Sequence, residues 1–486
     1  MRSKNDDLIE AAKNLELKNT ELTQPTERLQ EFVTDMFDEL RDFDIAESPR
    51  VKPSRDRLLN SFNDIMLQVV EELPKTGNAE PVYAGIKMGL VESLIDQQKT
   101  DEAEPILDEL QEVFKRRVTM KQGSDSARNN LVLLMMKIGN LKRDLRRDLR
   151  ASLNAHQQAL EIAQSIVDHP KAADDGKGLM PVYLTRTPLA DSHTNLGSTC
   201  YRLGDPQKAL EHLESALSLR RQVIVDFDAS TQIPGLVAED RPRQREYLVD
   251  DLQFKKLGMA AALFRAGRAR EAEPLLKETY EASLTQLAED PHNPRLVHDV
   301  VGQAEMWAEF LGYTNRGPEA LVVLEEAEKY LNDLLADDPY GVAFQRTVSV
   351  ALYRLSQWRK ELGQGDFETP LRQCLEIRRK LAAKELNNDR RQLDLMLALA
   401  RDGESAEAIA IANKYLAGTN PDNEMLMEIA RAFSQCANFA ATEAEREPLE
   451  TTAVTTINRA IKAGFRDTVF LSGELDLKPI RGRWSL

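Results

Sequence analysis

The sequence predicts an all-α chain, a solenoid of antiparallel helix hairpins, and three observations carry that prediction. Apolar residues recur with helical periodicity almost throughout, and strand-like alternation with β-branched enrichment is missing. Glycine and proline fall between the periodic segments, where helices stop and start. Short phrases also repeat: Asp101-Glu102-Ala103-Glu104-Pro105-Ile106-Leu107 matches Arg270-Glu271-Ala272-Glu273-Pro274-Leu275-Leu276. One compact core does not extend over 486 residues. A repeat array escapes that limit, because each unit buries its face against its neighbours.

Bulk composition narrows the function. Hydrophobic residues make up 42% and charged residues 30%, as long helices with solvated outer faces require. A net charge of −16 repels a phosphate backbone, so no nucleic-acid partner is expected. Cys200, Cys374 and Cys436 lie far apart and form no CxxC pair, which suits a reducing compartment. The N-terminus lacks an apolar stretch of signal-peptide length, and no run of about 18 apolar residues occurs. The expectation is a soluble, cytoplasmic chain with no membrane span.

Four segments follow in order. In residues 1–48, Leu8, Leu15, Leu22, Leu29, Met36 and Phe43 recur every seven residues, with Pro25 interrupting. Their partner positions are only partly apolar. This pattern reads either as a coiled-coil seam that self-associates through Leu8, Leu15, Leu22 and Leu29, or as amphipathic helix lying on the solenoid end. Residues 49–79 hold a linker marked by Pro49 and Pro53, then an amphipathic helix. Residues 80–463 read as about seven to eight hairpins, and residues 464–486 as a capping tail.

The clearest hairpin is residues 189–224, two helices around a Gly204-Asp205-Pro206 turn. Small residues at Gly197, Ala209 and Ala216 allow close approach, and larger ones fill the gaps between. Gly204 can end the first helix in the left-handed conformation, and Pro206 fits a helix first turn. The first small residue of each second helix marks the units: Ala103, Ser152, Ala209, Ala272, Ala320, Phe367, Ala408 and Ala453. Pro105 and Pro274 are placed in the first turns of their helices.

This unit resembles a tetratricopeptide repeat, with Leu196-Gly197 in the first helix, Gly204-Asp205 at the turn and Ala209, Leu213 and Ala216 in the second. The spacing between marks exceeds the roughly 34 residues of the short repeat. The longer form is similar to the repeats of kinesin light chain, on the phrases Glu102 to Leu107, Glu271 to Leu275 and Cys374 to Arg378. The resemblance implies a right-handed superhelix and a non-catalytic scaffold that binds a partner peptide or protein in its concave groove. Residues 459–486 resemble the tail of repeat regions in certain large bacterial serine/threonine kinases, and residues 27–73 the segment that follows their membrane helix. That second resemblance implies the sensory or regulatory half of a kinase system. It stops where chemistry would lie, for there is no HRD, DFG or glycine-rich nucleotide loop.

Nothing else in the sequence points to catalysis, and no cofactor is expected. His156, His169, His193, His212, His292 and His298 show no metal-ligand spacing. No GxSxG elbow occurs, and Cys200 falls on a packing position. Leu141, Leu145 and Leu149 form a stripe four residues apart, flanked by Arg143, Arg146, Arg147 and Arg150. It reads as a solvated helix face with local Asp–Arg pairs, or as a dock for an acidic partner or a phosphate. Register places Thr194, Ser198, Tyr201 and Arg202 of one unit, and Leu257, Ala261, Phe264 and Arg265 of the next, along the groove. Tyr201 and Phe264 would serve as anchors, and Arg202 and Arg265 would grip carboxylates. The carboxylate clamp of chaperone-binding members is not assembled: Asn195 fits one place, but Met88, Glu92, Phe254 and Gly258 hold the others.

Overall fold

The turn between paired helices fixes the repeat. A computed structural model describes residues 52–72, 80–96, 99–120, 124–144, 148–171, 182–230, 240–291, 293–336, 342–384, 388–418 and 421–484. The heptad segment, with Leu8, Leu15, Leu22 and Leu29, lies outside them. At Gly204 the backbone turns left-handed, φ 75°, and the Asp205 amide donates to the Cys200 carbonyl at 3.0 Å. This closure satisfies a carbonyl that the helix end leaves open. The Asp205 side chain then accepts from the Lys208 amide, and Pro206 opens the next helix. The same bond, from an amide to the carbonyl five residues back, recurs from Arg268, Arg316, Gln364 and Glu404. Gly267, Asn315, Gly363 and Gly403 carry the positive φ there.

After α1 (Lys52–Glu72), the described helices pair into eight hairpins, five of them joined by this turn. They are α2 (Glu80–Asp96) with α3 (Thr100–Met120), α4 (Asp125–Asp144) with α5 (Leu149–Asp168), and α6 (Val182–Arg202) with α7 (Pro206–Ala229). Next come α8 (Arg241–Arg265) with α9 (Ala269–Glu289), α10 (Pro294–Tyr313) with α11 (Gly317–Ala336), and α12 (Val342–Leu362) with α13 (Glu368–Lys384). The last two are α14 (Asp389–Asp402) with α15 (Ser405–Leu416), and α16 (Asn423–Ala437) with α17 (Glu443–Lys462). Helix α18 (Thr468–Gly473) and a 3₁₀ turn, Leu475–Ile480, follow. The architecture is an all-α solenoid, and each helix packs on its neighbours in sequence.

Close approach decides the packing. A Cβ on Gly197 would stand 2.7 Å from Leu213 Cγ, so only glycine lets α6 and α7 come this near. Ala103, Ser152, Ala209, Ala272, Ala320 and Ala408 each stand fourth in their second helices and are fully buried. Phe367 does not fit this register. It precedes α13, whose fourth residue is the buried Leu371.

Two local expectations change. Pro105 and Pro274 sit sixth in α3 and α9, inside the helices rather than in their first turns. Both are exposed, so water can satisfy the carbonyl that loses its partner. The Leu141–Arg150 stretch is not one helical stripe. Helix α4 ends at Asp144, and Asp148 caps α5 by accepting from the Ala151 amide at 3.0 Å. Leu145, Arg146 and Arg147 lie outside the described residues.

The superhelix returns on itself. Asn423 at the start of α16 donates to the Leu203 carbonyl beyond the end of α6, at 2.8 Å. Arg202 reaches Glu424 at 2.8 Å and also bonds Asp144 and the Arg143 carbonyl. The third and eighth hairpins therefore meet, and the first helices of those between them face a common interior.

Candidate functional site

The interior has two adjoining parts, one filled and one open. The tail fills the first. After α17 the chain turns at Gly464, φ 109°, and runs back across the C-terminal ends of the first helices, from the third hairpin to the eighth. Phe465 covers Gly204, where a Cβ would stand 2.1 Å from its ring, and the Arg466 amide donates to the Gly204 carbonyl at 2.6 Å. Asp467 accepts from Arg265 at 3.1 Å. The Arg265 guanidinium lies 5.1 to 5.9 Å from the ring centroids of Phe470, Tyr313 and Phe264. Burial opposes its charge, but Glu309, Tyr201 and Asp467 outweigh that and hold it firmly protonated.

The tail's centre is more strongly charged. Glu474 and Asp476 are each 0% exposed. Glu474 accepts from the Tyr313 hydroxyl at 2.9 Å and lies 3.4 Å from Arg354 and 3.5 Å from Arg431. Asp476 accepts from Tyr353 at 2.7 Å, Gln357 at 3.0 Å and Arg431 at 2.7 Å, and also from Arg401. Gln435 donates to the Asp476 carbonyl at 2.9 Å. Burial alone would push the Glu474 carboxyl up. Arg431 and Arg354 overcome it and hold the group well below the usual carboxylate range. Leu471, Leu477 and Ile480 supply the apolar contacts and are buried.

The open part is a cavity of about 1030 Å³ between α8, α9, α10, α12, α14 and α16. Leu257, Leu296, Met306, Val350 and Leu397 give its apolar wall, and Thr347, Gln303, Glu305, Arg346 and Asp394 its polar one. The Arg346–Asp394 pair, 2.8 Å apart, spans α12 and α14. Gln303 Oε1 is buried with no hydrogen bond from the described residues. Beside Gly302 there is free space, with nothing within 4 Å of a Cβ placed there. Tyr353, Arg354 and Arg431 line the cavity and also hold the tail, so they form the wall between the two parts.

The residues that register placed along the groove divide accordingly. Tyr201, Phe264 and Arg265 come together beside the tail. Phe264 and Arg265 are buried, and burial pushes the Tyr201 hydroxyl up to about 12. Arg202 is committed to the ring closure. Thr194 and Ser198 are half-buried on α6, where Thr194 donates to the Ala190 carbonyl at 2.9 Å. Leu257 lines the open cavity. Sequence reasoning missed Tyr313, Tyr353, Arg354, Arg401, Arg431, Glu474 and Asp476. One signal was available: Arg202, Arg265 and Arg401 each stand two residues before a left-handed turn glycine.

The remaining reactive groups are core. Burial pushes the Cys200 and Cys374 thiols up to about 11, away from the thiolate a nucleophile needs. His156 is fully buried, 3.1 Å from Thr199 and 3.2 Å from Asn140. Burial and then Arg143 push it down to about 4. His193 faces His212 at 3.1 Å between their Nδ1 atoms. Among the described residues no three His, Cys, Asp or Glu side chains gather as a metal site. None of the described helices is long and apolar enough to cross a membrane.

Comparison with known proteins bears on this architecture. Two tetratricopeptide-repeat family models match, one over residues 189–227 and one over residues 256–278. The first spans α6 and α7, and the second spans the turn between α8 and α9. No curated protein matches the chain. Among solved structures, the Rap conjugation gene regulator of plasmid pLS20 in complex with the Phr* peptide is similar at a TM-score of 0.48 and 12% identity, over 84% of this chain and 96% of that one. The apo quorum sensor NprR of B. thuringiensis gives 0.44 and 14%, over 88% and 100%. Yeast Tom70 gives 0.34 and 14%, over 92% and 84%. The likeness at these TM-scores is loose, and the family rests on the matched repeats and the recurring hairpin. The chain carries tetratricopeptide repeats at residues 189–227 and 256–278.

Proposed function

We propose that the chain is a non-catalytic protein-interaction scaffold that takes an extended segment of a partner into the open part of its interior. One observation carries this reading: the first helices already grip a stretch of the chain itself, the tail with its short helix and 3₁₀ turn, through side chains drawn from successive hairpins. The adjoining cavity repeats that mixture of apolar wall and fixed charge. Its volume of about 1030 Å³ lies at the top of the range for small-molecule sites. The apolar wall gives an extended segment area to bury, while Thr347, Gln303 and Arg346 give its backbone and side chains polar partners.

The test is selection of short random peptides on the intact chain, followed by titration. Thr347→Glu and Met306→Glu place a carboxylate in the cavity and spare the tail contacts. Selected peptides should lose at least about tenfold in affinity for either variant while the melting temperature holds. Unchanged affinity would remove the cavity from the binding site.

A further inference from the structure

The tail-filled part carries a second inference, which rests on the scaffold reading and names a partner chemistry. We propose that Arg354, Arg401 and Arg431, with Tyr313, Tyr353 and Gln357, form a docking site for acidic segments of partner proteins. The pattern recognised is apolar-x-x-acid-x-acid-apolar-x-x-apolar, and residues 471–480 of this chain hold the site until such a segment displaces them.

Four observations support exchange over a permanent plug. First, the recognition is chemically specific. Guanidinium groups from three separate hairpins converge on two carboxylates two residues apart. A buried ion network is a poor way to gain stability, because desolvation offsets most of the attraction, whereas apolar side chains would serve a plug better. The network selects for paired acids instead. Second, α17 ends in its own C-terminal cap at Ala463 before the tail begins, so the last helix does not need the tail for closure. Third, the tail leaves through Gly464, a left-handed glycine whose Cβ position has nothing within 4 Å, so the turn itself is not packed against the solenoid. Fourth, the open cavity reaches the same groups. Tyr353, Arg354 and Arg431 face it directly, so an incoming acidic segment can engage them while the tail is still partly docked.

The tail competes from a tethered position, with an effective concentration on the order of millimolar. A free segment with the same contacts therefore binds the resting chain weakly. The probe is a labelled synthetic peptide of residues 468–484, titrated into the full chain and into the full chain carrying Glu474→Gln and Asp476→Asn. The peptide should bind the double variant at least about tenfold more tightly than the natural chain. Arg431→Gln added to that background should reverse the gain, and a peptide with Gln and Asn at its two acidic positions should fail to bind. No binding to the folded double variant, or binding indifferent to those carboxylates, overturns the proposal. Should the double variant not fold, amide hydrogen exchange in the natural chain decides. Millimolar unlabelled peptide should accelerate exchange across residues 474–480, and unchanged protection would make the tail a fixed part of the fold. The scaffold reading survives that result, because peptides selected for the open cavity bind there with the tail docked.

Discussion

The two parts of the interior share a wall and differ in what faces it. On the tail side, Glu474 and Asp476 are buried against guanidinium and phenol groups from four hairpins. On the cavity side, Arg346 and Asp394 pair with each other, and Leu257, Met306 and Val350 line empty space. The same helices thus present an acid-binding end and a mixed, charge-balanced end. The difference teaches that the tail is held by selective charge, as a ligand would be, and that the rest of the groove offers apolar contact beside charge that is already balanced.

The largest test of that contrast removes one carboxylate. Asp476→Ala leaves the buried Arg401 without its carboxylate and takes one of three from Arg431, and breaking a buried pair in this way costs about 3–5 kcal/mol. Amide exchange across the 3₁₀ turn should rise accordingly, while helices around the cavity keep their protection. Equal loss in both parts would mean that they form one cooperative unit. A smaller effect is expected at the tail's first contact. Gly204→Ala forces a left-handed non-glycine residue, at about 1–2 kcal/mol, and drives a methyl into the Phe465 ring. Denaturant unfolding should show the cost, and Phe465 should leave its site first.

The smallest effect is spectroscopic and opposite in sign on the two sides. Glu474 has a folded pKa below its unfolded one, so its contribution is present above the ordinary glutamate range and fades as pH falls through the depressed value. Glu305 in the cavity is raised by burial, more than Arg354 lowers it. Its contribution is therefore full below the ordinary range and is lost as pH rises through the raised value. Carbon-13 titration of the glutamate carboxyls should show Glu305 protonating first on acidification. The reverse order would break the contrast.

Much of the repeat was legible, for a stated reason. Gly204, Gly267 and Gly403 mark turns through a backbone preference that acts within a few residues. Gly197 and the buried alanines mark close approach in the same local way. The register slipped at α13 because a large residue, Leu371, stands where other second helices carry a small one. It slipped again at α17, which begins at Glu443, well before Ala453. Pro448 stands sixth there, as Pro105 does in α3 and Pro274 in α9. The groove was legible only in part. Phe264 and Arg265 were found from register, but as groove surface open to a partner, and the structure lays the chain's own tail beside them.

The sequence by itself determined the hairpins, their turns and the small residues that set helix spacing, because those depend on neighbours a few positions away. The tertiary structure alone decided that the superhelix closes between Arg202 and Glu424, and that one end of its interior is filled while the other stays open. Arg354, Arg401 and Arg431 meet Glu474 and Asp476 across gaps that local pattern does not reach. Their convergence depends on the accumulated curvature of successive hairpins, and small rotations between repeats fix it only in sum.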